Sequence, residues 1–132
     1  PWNRTFAAEA PPDGPFEFRD ELRDLDPAAV LTLDDDGFRE RFAGTPLMRS
    51  RRDGLRRNAC VVLGNLGNRR SVPALVGALT DDDAVVRSHA AWALGRIGGE
   101  EARVALRAAA ARERSPDVRS EIESGIEDLS RR

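Results

Sequence analysis

The chain has 132 residues, 40% hydrophobic and 33% charged, which suits one globular domain with a modest core and excludes a disordered or fibrous protein. No apolar run approaches the roughly 18 to 20 residues of a membrane span, and a single cysteine, Cys60, excludes a disulfide framework and leaves a reducing cytoplasm as the expected compartment. The formal charge of −2 hides three blocks, −6 over residues 1–48, +6 over 49–70 and −2 over 71–132, and such a concentrated positive segment steers a polyanion more than the total does.

The chain opens Pro1-Trp2-Asn3-Arg4, with no initiator methionine and no basic-then-apolar leader, which reads as a fragment of something longer. Residues 1–25, rich in proline and acids, are expected to be an irregular connector. Residues 27–33 and 35–42 follow as two short helices, so that 26–52 forms a segment of short helices and basic loop before repeats at 53–132. Leu55, Ala59, Val62, Leu63 and Leu66 then fall on one stripe of an amphipathic helix that Gly67 stops. Ser71 before Val72-Pro73 predicts an N-cap and a helix over 72–79, and Thr80 to Asp83 a polar turn that caps the next helix. That helix carries Val86, Ala90, Ala93, Leu94 and Ile97 on its stripe and stops at Gly98-Gly99.

The two stripes are one pattern. Leu55-Arg56-Arg57-Asn58-Ala59 through Leu63-Gly64-Asn65-Leu66-Gly67 returns, at a constant offset, as Val86-Arg87-Ser88-His89-Ala90 through Leu94-Gly95-Arg96-Ile97-Gly98. A weaker third copy starts at Val118-Arg119, with Ile122, Ile126 and Leu129 in the apolar slots. One helix pair cannot bury its apolar face alone, so the pairs must stack. The fold expected is all-α, a short α-solenoid of helix pairs behind an irregular N-terminal connector. Its core is Leu55, Ala59, Leu63, Leu66, Leu75, Ala90, Leu94, Ile97 and Leu106.

Period and pattern resemble the short HEAT-like repeats of the phycobilisome-lyase type. Such solenoids are generic binding surfaces, so this resemblance bears on fold more than on function. Arg56, Arg87 and Arg119 recur with the repeat and read as structural, pairing with Asp81 to Asp83 between units. The residues that do not recur are candidates for function. Projected as helices, Arg57, Asn58, Val61 and Asn65 face away from the stripe, and Ser88, His89, Trp92 and Arg96 take the same positions one unit later. Guanidinium for phosphate, amides for base edges and an aromatic plane for stacking suit RNA. Trp92 has two readings, an outward stacking platform or packing against a neighbour. His89 lacks a second ligand for a metal, and Cys60, among apolar neighbours, reads as a small buried hydrophobe. No paired-carboxylate, Ser-His-Asp or phosphate-cradling glycine pattern is present, so neither catalytic nor metal-ligating residues are expected in this chain.

A sharper resemblance precedes the repeats. Phe38-Arg39-Glu40-Arg41-Phe42-Ala43-Gly44-Thr45-Pro46-Leu47-Met48-Arg49, then Arg52-Asp53-Gly54-Leu55-Arg56-Arg57-Asn58 and Leu63-Gly64-Asn65-Leu66-Gly67, resembles the C-terminal region of the epoxyqueuosine reductases. There, Phe-x-Gly-Ser-Pro-Ile-Lys-Arg leads into Gly-Leu-x-Arg-Asn and Ala-Leu-Gly-Asn. Thr45 stands for the serine and keeps its hydroxyl, Met48 stands where lysine is common, and Val62 stands at the alanine. Bacterial ferredoxin runs end in Cys-Pro, and in this family the last cluster cysteine is followed by Pro-Trp-Asn, which is how this chain begins.

The resemblance implies an oxidoreductase that uses cobalamin and two 4Fe-4S clusters to reduce the epoxide of a modified nucleoside at the tRNA wobble position, completing queuosine. It places those cofactors, and the catalytic acid, in N-terminal domains of the same polypeptide. This chain is then the tRNA-recognition domain, with an anticodon stem-loop as partner and no membrane. Arg49, Arg52, Arg57, Asn58, Asn65, His89, Trp92 and Arg96 are the expected RNA contacts. The alternative is a HEAT-like adaptor for a protein partner, which predicts an apolar groove instead of these polar residues.

Overall fold

Helix caps divide the chain where the sequence punctuates it. The computed structural model of the chain describes residues 26–33, 36–37 and 48–131, with 48–51 described by their backbone alone. Helix α1, Pro27–Thr32, starts at Asp26, whose carboxylate accepts from the Ala28 amide at 3.1 Å, and has proline in its first turn. Helix α2 is Met48–Leu66 and α3 Val72–Ala78. Helix α4, Ala84–Ile97, is capped by Asp83, which accepts from the Val86 amide at 3.1 Å. Helix α5 is Glu100–Arg112, its two leading glutamates set on the positive end of the helix dipole, and α6 is Pro116–Ser130, capped by Ser115. Among the described residues there is no strand.

Gly67 and Gly98, one repeat apart, hold φ of 68° and 82°, the left-handed region in which only glycine is unstrained. Both end their helices as the repeat predicts. The cap before α3 differs from the expectation. Ser71 makes no side-chain capping bond; the chain instead takes a 3-10 turn over Arg69–Ser71, and the Asn68 side chain accepts from the Arg70 amide at 2.9 Å. Asn68 lies where a polar side chain can reach back over the turn, whereas Ser71 is already wound into it.

The helices form two layers. In one, α2, α4 and α6 stand in a row, each packed on the next; in the other, α1, α3 and α5 follow the same order, and the core lies between. Leu55, Leu75, Val86, Leu94, Leu106, Val118 and Ile122 are fully buried there. Row helices touch at glycines. A Cβ on Gly64 would stand 2.7 Å from the Trp92 ring and 3.0 Å from Ala93, and one on Gly95 would stand 2.8 Å from the Gly125 Cα.

This row corrects the helical projection. Among the expected core residues Leu66 is 69% exposed, whereas the other eight are buried. On the same helix Val62 is 38% exposed and Val61 only 5%, the reverse of the expectation. A row helix is covered on two sides, by the second layer and by its row neighbours, so the buried arc is wider than one stripe and turned away from Val62. Helix α2 also runs unbroken through the junction expected at 52/53. The expected connector 1–25 and helix 35–42 lie outside the described residues, apart from a helical turn at 36–37.

Candidate nucleic-acid interface

The arginines separate into a set bonded to the loops between helices, of which Arg52 and Arg56 are buried, and a surface set. Arg56, at 3.0 Å from the Asp81 carboxylate, also donates to the carbonyls of Leu31 and Leu33. Arg52, one turn earlier, donates to the same carboxylate at 3.1 Å and to Asp53 at 2.6 Å. One unit later Arg87 binds Glu113 through two nitrogens, at 2.9 and 3.1 Å, and donates to the carbonyls of Asp81 and Asp82. Arg119 closes the series on the Glu113 carbonyl. Asp81 and Glu113 are thus equivalent: each stands in the loop ahead of a row helix and takes the arginine of the row helix before it. The mutual bond holds the Glu113 carboxyl below, and the Arg87 guanidinium above, their ordinary pKa.

The expected structural role of Arg56, Arg87 and Arg119 therefore has a geometry. Arg52 joins them. It is buried between two carboxylates, so its charge is engaged inside the fold, whereas the sequence suggested a phosphate contact.

His89 also lies inside, 2% exposed, because its position on α4 turns toward α2 in the row. A carbonyl can only accept, so the 2.7 Å contact with the Val85 carbonyl puts the ring proton on Nδ1. Burial, and secondarily Arg57, lower its pKa to about 4. The ring is neutral near pH 7 and packs as part of the fold. Cys60 is buried too, and burial, reinforced by Asp81, pushes its thiol up to about 12, which removes it as a nucleophile or metal ligand. Among the described residues no group of three His, Cys, Asp or Glu side chains could hold a metal ion, and no helix is long and apolar enough to cross a membrane.

The remaining candidates reach the surface. Arg57 and Asn58 are half-buried, with Arg57 Nε donating to the Asp53 carbonyl at 3.3 Å. Asn65 and Arg96 are exposed at the ends of α2 and α4. Trp92 packs against its row neighbour, with part of the ring left open. Its ring rests over Gly64 and packs on the core, yet it is only half-buried, and the Arg96 guanidinium sits 5.7 Å from its centroid, in cation–π range. Arg49 lies in the first turn of α2, and its side chain is outside the described residues.

Two arginines join this edge that the projection passed over. Arg69 and Arg70 are exposed on the turn after α2, and the Arg69 guanidinium carbon lies 3.7 Å from where a Gly99 Cβ would stand, at the end of α4 that carries Arg96. Their signal was their place in the +6 block immediately past the Gly67 stop. The edge therefore presents Asn65, Arg69, Arg70, Trp92 and Arg96, a set able to bind phosphate and to stack on a base.

The sequence pattern of HEAT repeats matches residues 45–127. The chain belongs to the HEAT-repeat family. It is similar to the epoxyqueuosine reductase of Bacillus cereus, 33% identical over 104 residues that cover 78% of this chain and 27% of that protein. The phycocyanobilin lyase subunit alpha of a Nostoc species is 40% identical over 67 residues, 51% of this chain and 21% of the lyase subunit. Among solved structures, an epoxyqueuosine reductase bound to a tRNA-Tyr epoxyqueuosine-modified stem loop superposes with a TM-score of 0.67 at 29% identity, over 79% of this chain and 28% of that one. This HEAT-repeat chain thus spans little more than a quarter of the length of the reductases it matches.

Proposed function

We propose that this chain is the tRNA-gripping helical region of an epoxyqueuosine reductase, the oxidoreductase that completes queuosine at the wobble position. The observation that carries the reading is the likeness, in both sequence and fold, to a reductase chain solved with a modified tRNA stem loop. The exposed edge supplies matching chemistry: Arg69, Arg70 and Arg96 for phosphates, Asn65 for base edges, Trp92 for stacking, with Arg57, Asn58 and Arg49 flanking them on α2. An iron–sulfur cluster needs thiolate ligands, and the one thiol among the described residues is buried and protonated. Reduction belongs to the rest of a longer polypeptide, and this region positions the RNA.

The test is a salt series with an anticodon stem-loop. Each lost phosphate contact in a single-stranded region should flatten the log–log salt slope by roughly 0.7. Arg96→Ala and Arg70→Ala should each do so; Arg52→Ala should lower stability instead. Trp92→Ala should weaken binding with the slope intact, by roughly 1–3 kcal/mol if a base stacks there. Equal slopes for wild type and both surface-arginine variants would refute the reading and favour a HEAT-like repeat adaptor that binds a protein partner.

A further inference from the structure

Two repeat positions behave differently in the first row helix than in the others. On α4, Ala93 and Ile97 are buried, with Ala93 set against Gly64 of α2; on α6 the equivalent Gly125 and Leu129 are buried, with Gly125 set against Gly95 of α4. These positions face the preceding helix of the row. On α2 they are Val62 and Leu66, and they are exposed at 38% and 69%. The end of the helix is no explanation, since Ile97 is the last residue of its own helix, and Leu129 the next to last of its helix, and both are covered. Cover falls toward the C-terminus along this flank alone: Leu55 is fully buried, Asn58 half-buried, Val62 and Leu66 open, whereas Val61, Leu63 and Gly64 on the other sides stay buried.

We infer that the Val62–Leu66 flank of α2 is an interdomain docking surface, occupied by an apolar helix from the part of the longer polypeptide outside this chain. The occupant extends the row by one member and packs on Val62 and Leu66. Two observations select it over other partners: the surface continues an interface that the fold already repeats twice, and the matched reductases contain nearly three-quarters of their length beyond the matched region. The assignment rests on the reading of this chain as a region of such a reductase. Its test uses no RNA, so it can fail while RNA binding survives, and the converse.

The experiment is hydrogen exchange of the peptide spanning 61–67, in the full-length gene product and in the 132-residue chain. We expect exchange at least tenfold slower in the full-length protein. The full-length V62S/L66S variant should lose that protection, while V104S, at an exposed valine on α5, should keep it. Unchanged protection in full-length V62S/L66S would overturn the assignment without recourse to the isolated chain, as would equal exchange in the two lengths. A concentration-dependent dimer of the 132-residue chain that L66S abolishes would overturn it in favour of a second copy.

Discussion

Removing the Asp81 carboxylate should be the most damaging single change on the acid–arginine series. Asp81 accepts from Arg52 at 3.1 Å, from Arg56 at 3.0 Å and from the Asp83 amide at 2.9 Å, and all three side chains that meet there, Arg52, Arg56 and Asp81, are buried. Asp81→Ala leaves two guanidinium groups in the interior without their shared carboxylate, and breaking a buried pair from one side costs about 3–5 kcal/mol. For a domain of this size that corresponds to a fall in melting temperature of about 10–20 °C. Asp53 offers the comparison. It meets the same Arg52 at 2.6 Å but is more open to water, so Asp53→Ala should cost about 1 kcal/mol or less. Urea unfolding followed by circular dichroism measures both. A double-mutant cycle adds a sign test: Arg56→Met with Asp81→Ala should cost clearly less than the sum of the two, because an apolar side chain no longer needs the carboxylate. An Asp81→Ala cost within 1 kcal/mol of zero, or strict additivity, would refute the view that the acid neutralises buried charge.

Other outcomes follow from named contacts. His89 has a folded pKa of about 4, below its unfolded value near 6.5, so the unfolded chain binds more protons between them and stability should fall as pH drops through that window, by about 2 kcal/mol at pH 5. His89→Gln should flatten the pH–stability curve there; an unchanged curve would contradict the depressed pKa. The Glu113 carboxyl, also held low, contributes stability present above its unfolded pKa and lost as pH falls below it, so Glu113→Gln should alter the more acidic part of the curve. Gly95→Ala forces a Cβ to within 2.8 Å of the α6 backbone and should cost about 1–3 kcal/mol, whereas Gly77→Ala, with open space around it, should stabilise α3 by about 0.5–1 kcal/mol. Thermal melts that ranked the two glycines the other way would disprove the close packing of α4 on α6.

The repeat was legible because its signals are local and doubled. Leu55 and Val86, Ala59 and Ala90, Gly67 and Gly98 each appear twice at one offset, and each pair takes the same place in the structure. What a projection cannot see is the neighbour in the row. It finds the stripe of α4 that carries Val86, Ala90 and Leu94, but His89, outside that stripe, is also buried, because α2 packs beside it: Ala93, one turn on, lies against Gly64. Arg52 was unreadable for a related reason: its partner Asp81 is 29 residues away, on a loop that only the stacking of helices brings back over α2. Within the basic block, Arg52, Arg56, Arg69 and Arg70 are one composition signal, and the fold divides them into two buried and two exposed.

Because donor and acceptor of each inter-unit ion pair lie on successive units, any one unit carries half of two bonds. The stretch from Asn68 to Gly98 contains the acceptor Asp81 and the donor Arg87. Copied in tandem, it would bring one carboxylate to receive the preceding arginine and one arginine for the following acid, leaving no interior charge unmatched at the seam. The protein can therefore lengthen or shorten by whole units without redesigning its polar interior, and only the terminal helices need residues suited to having a neighbour on one side.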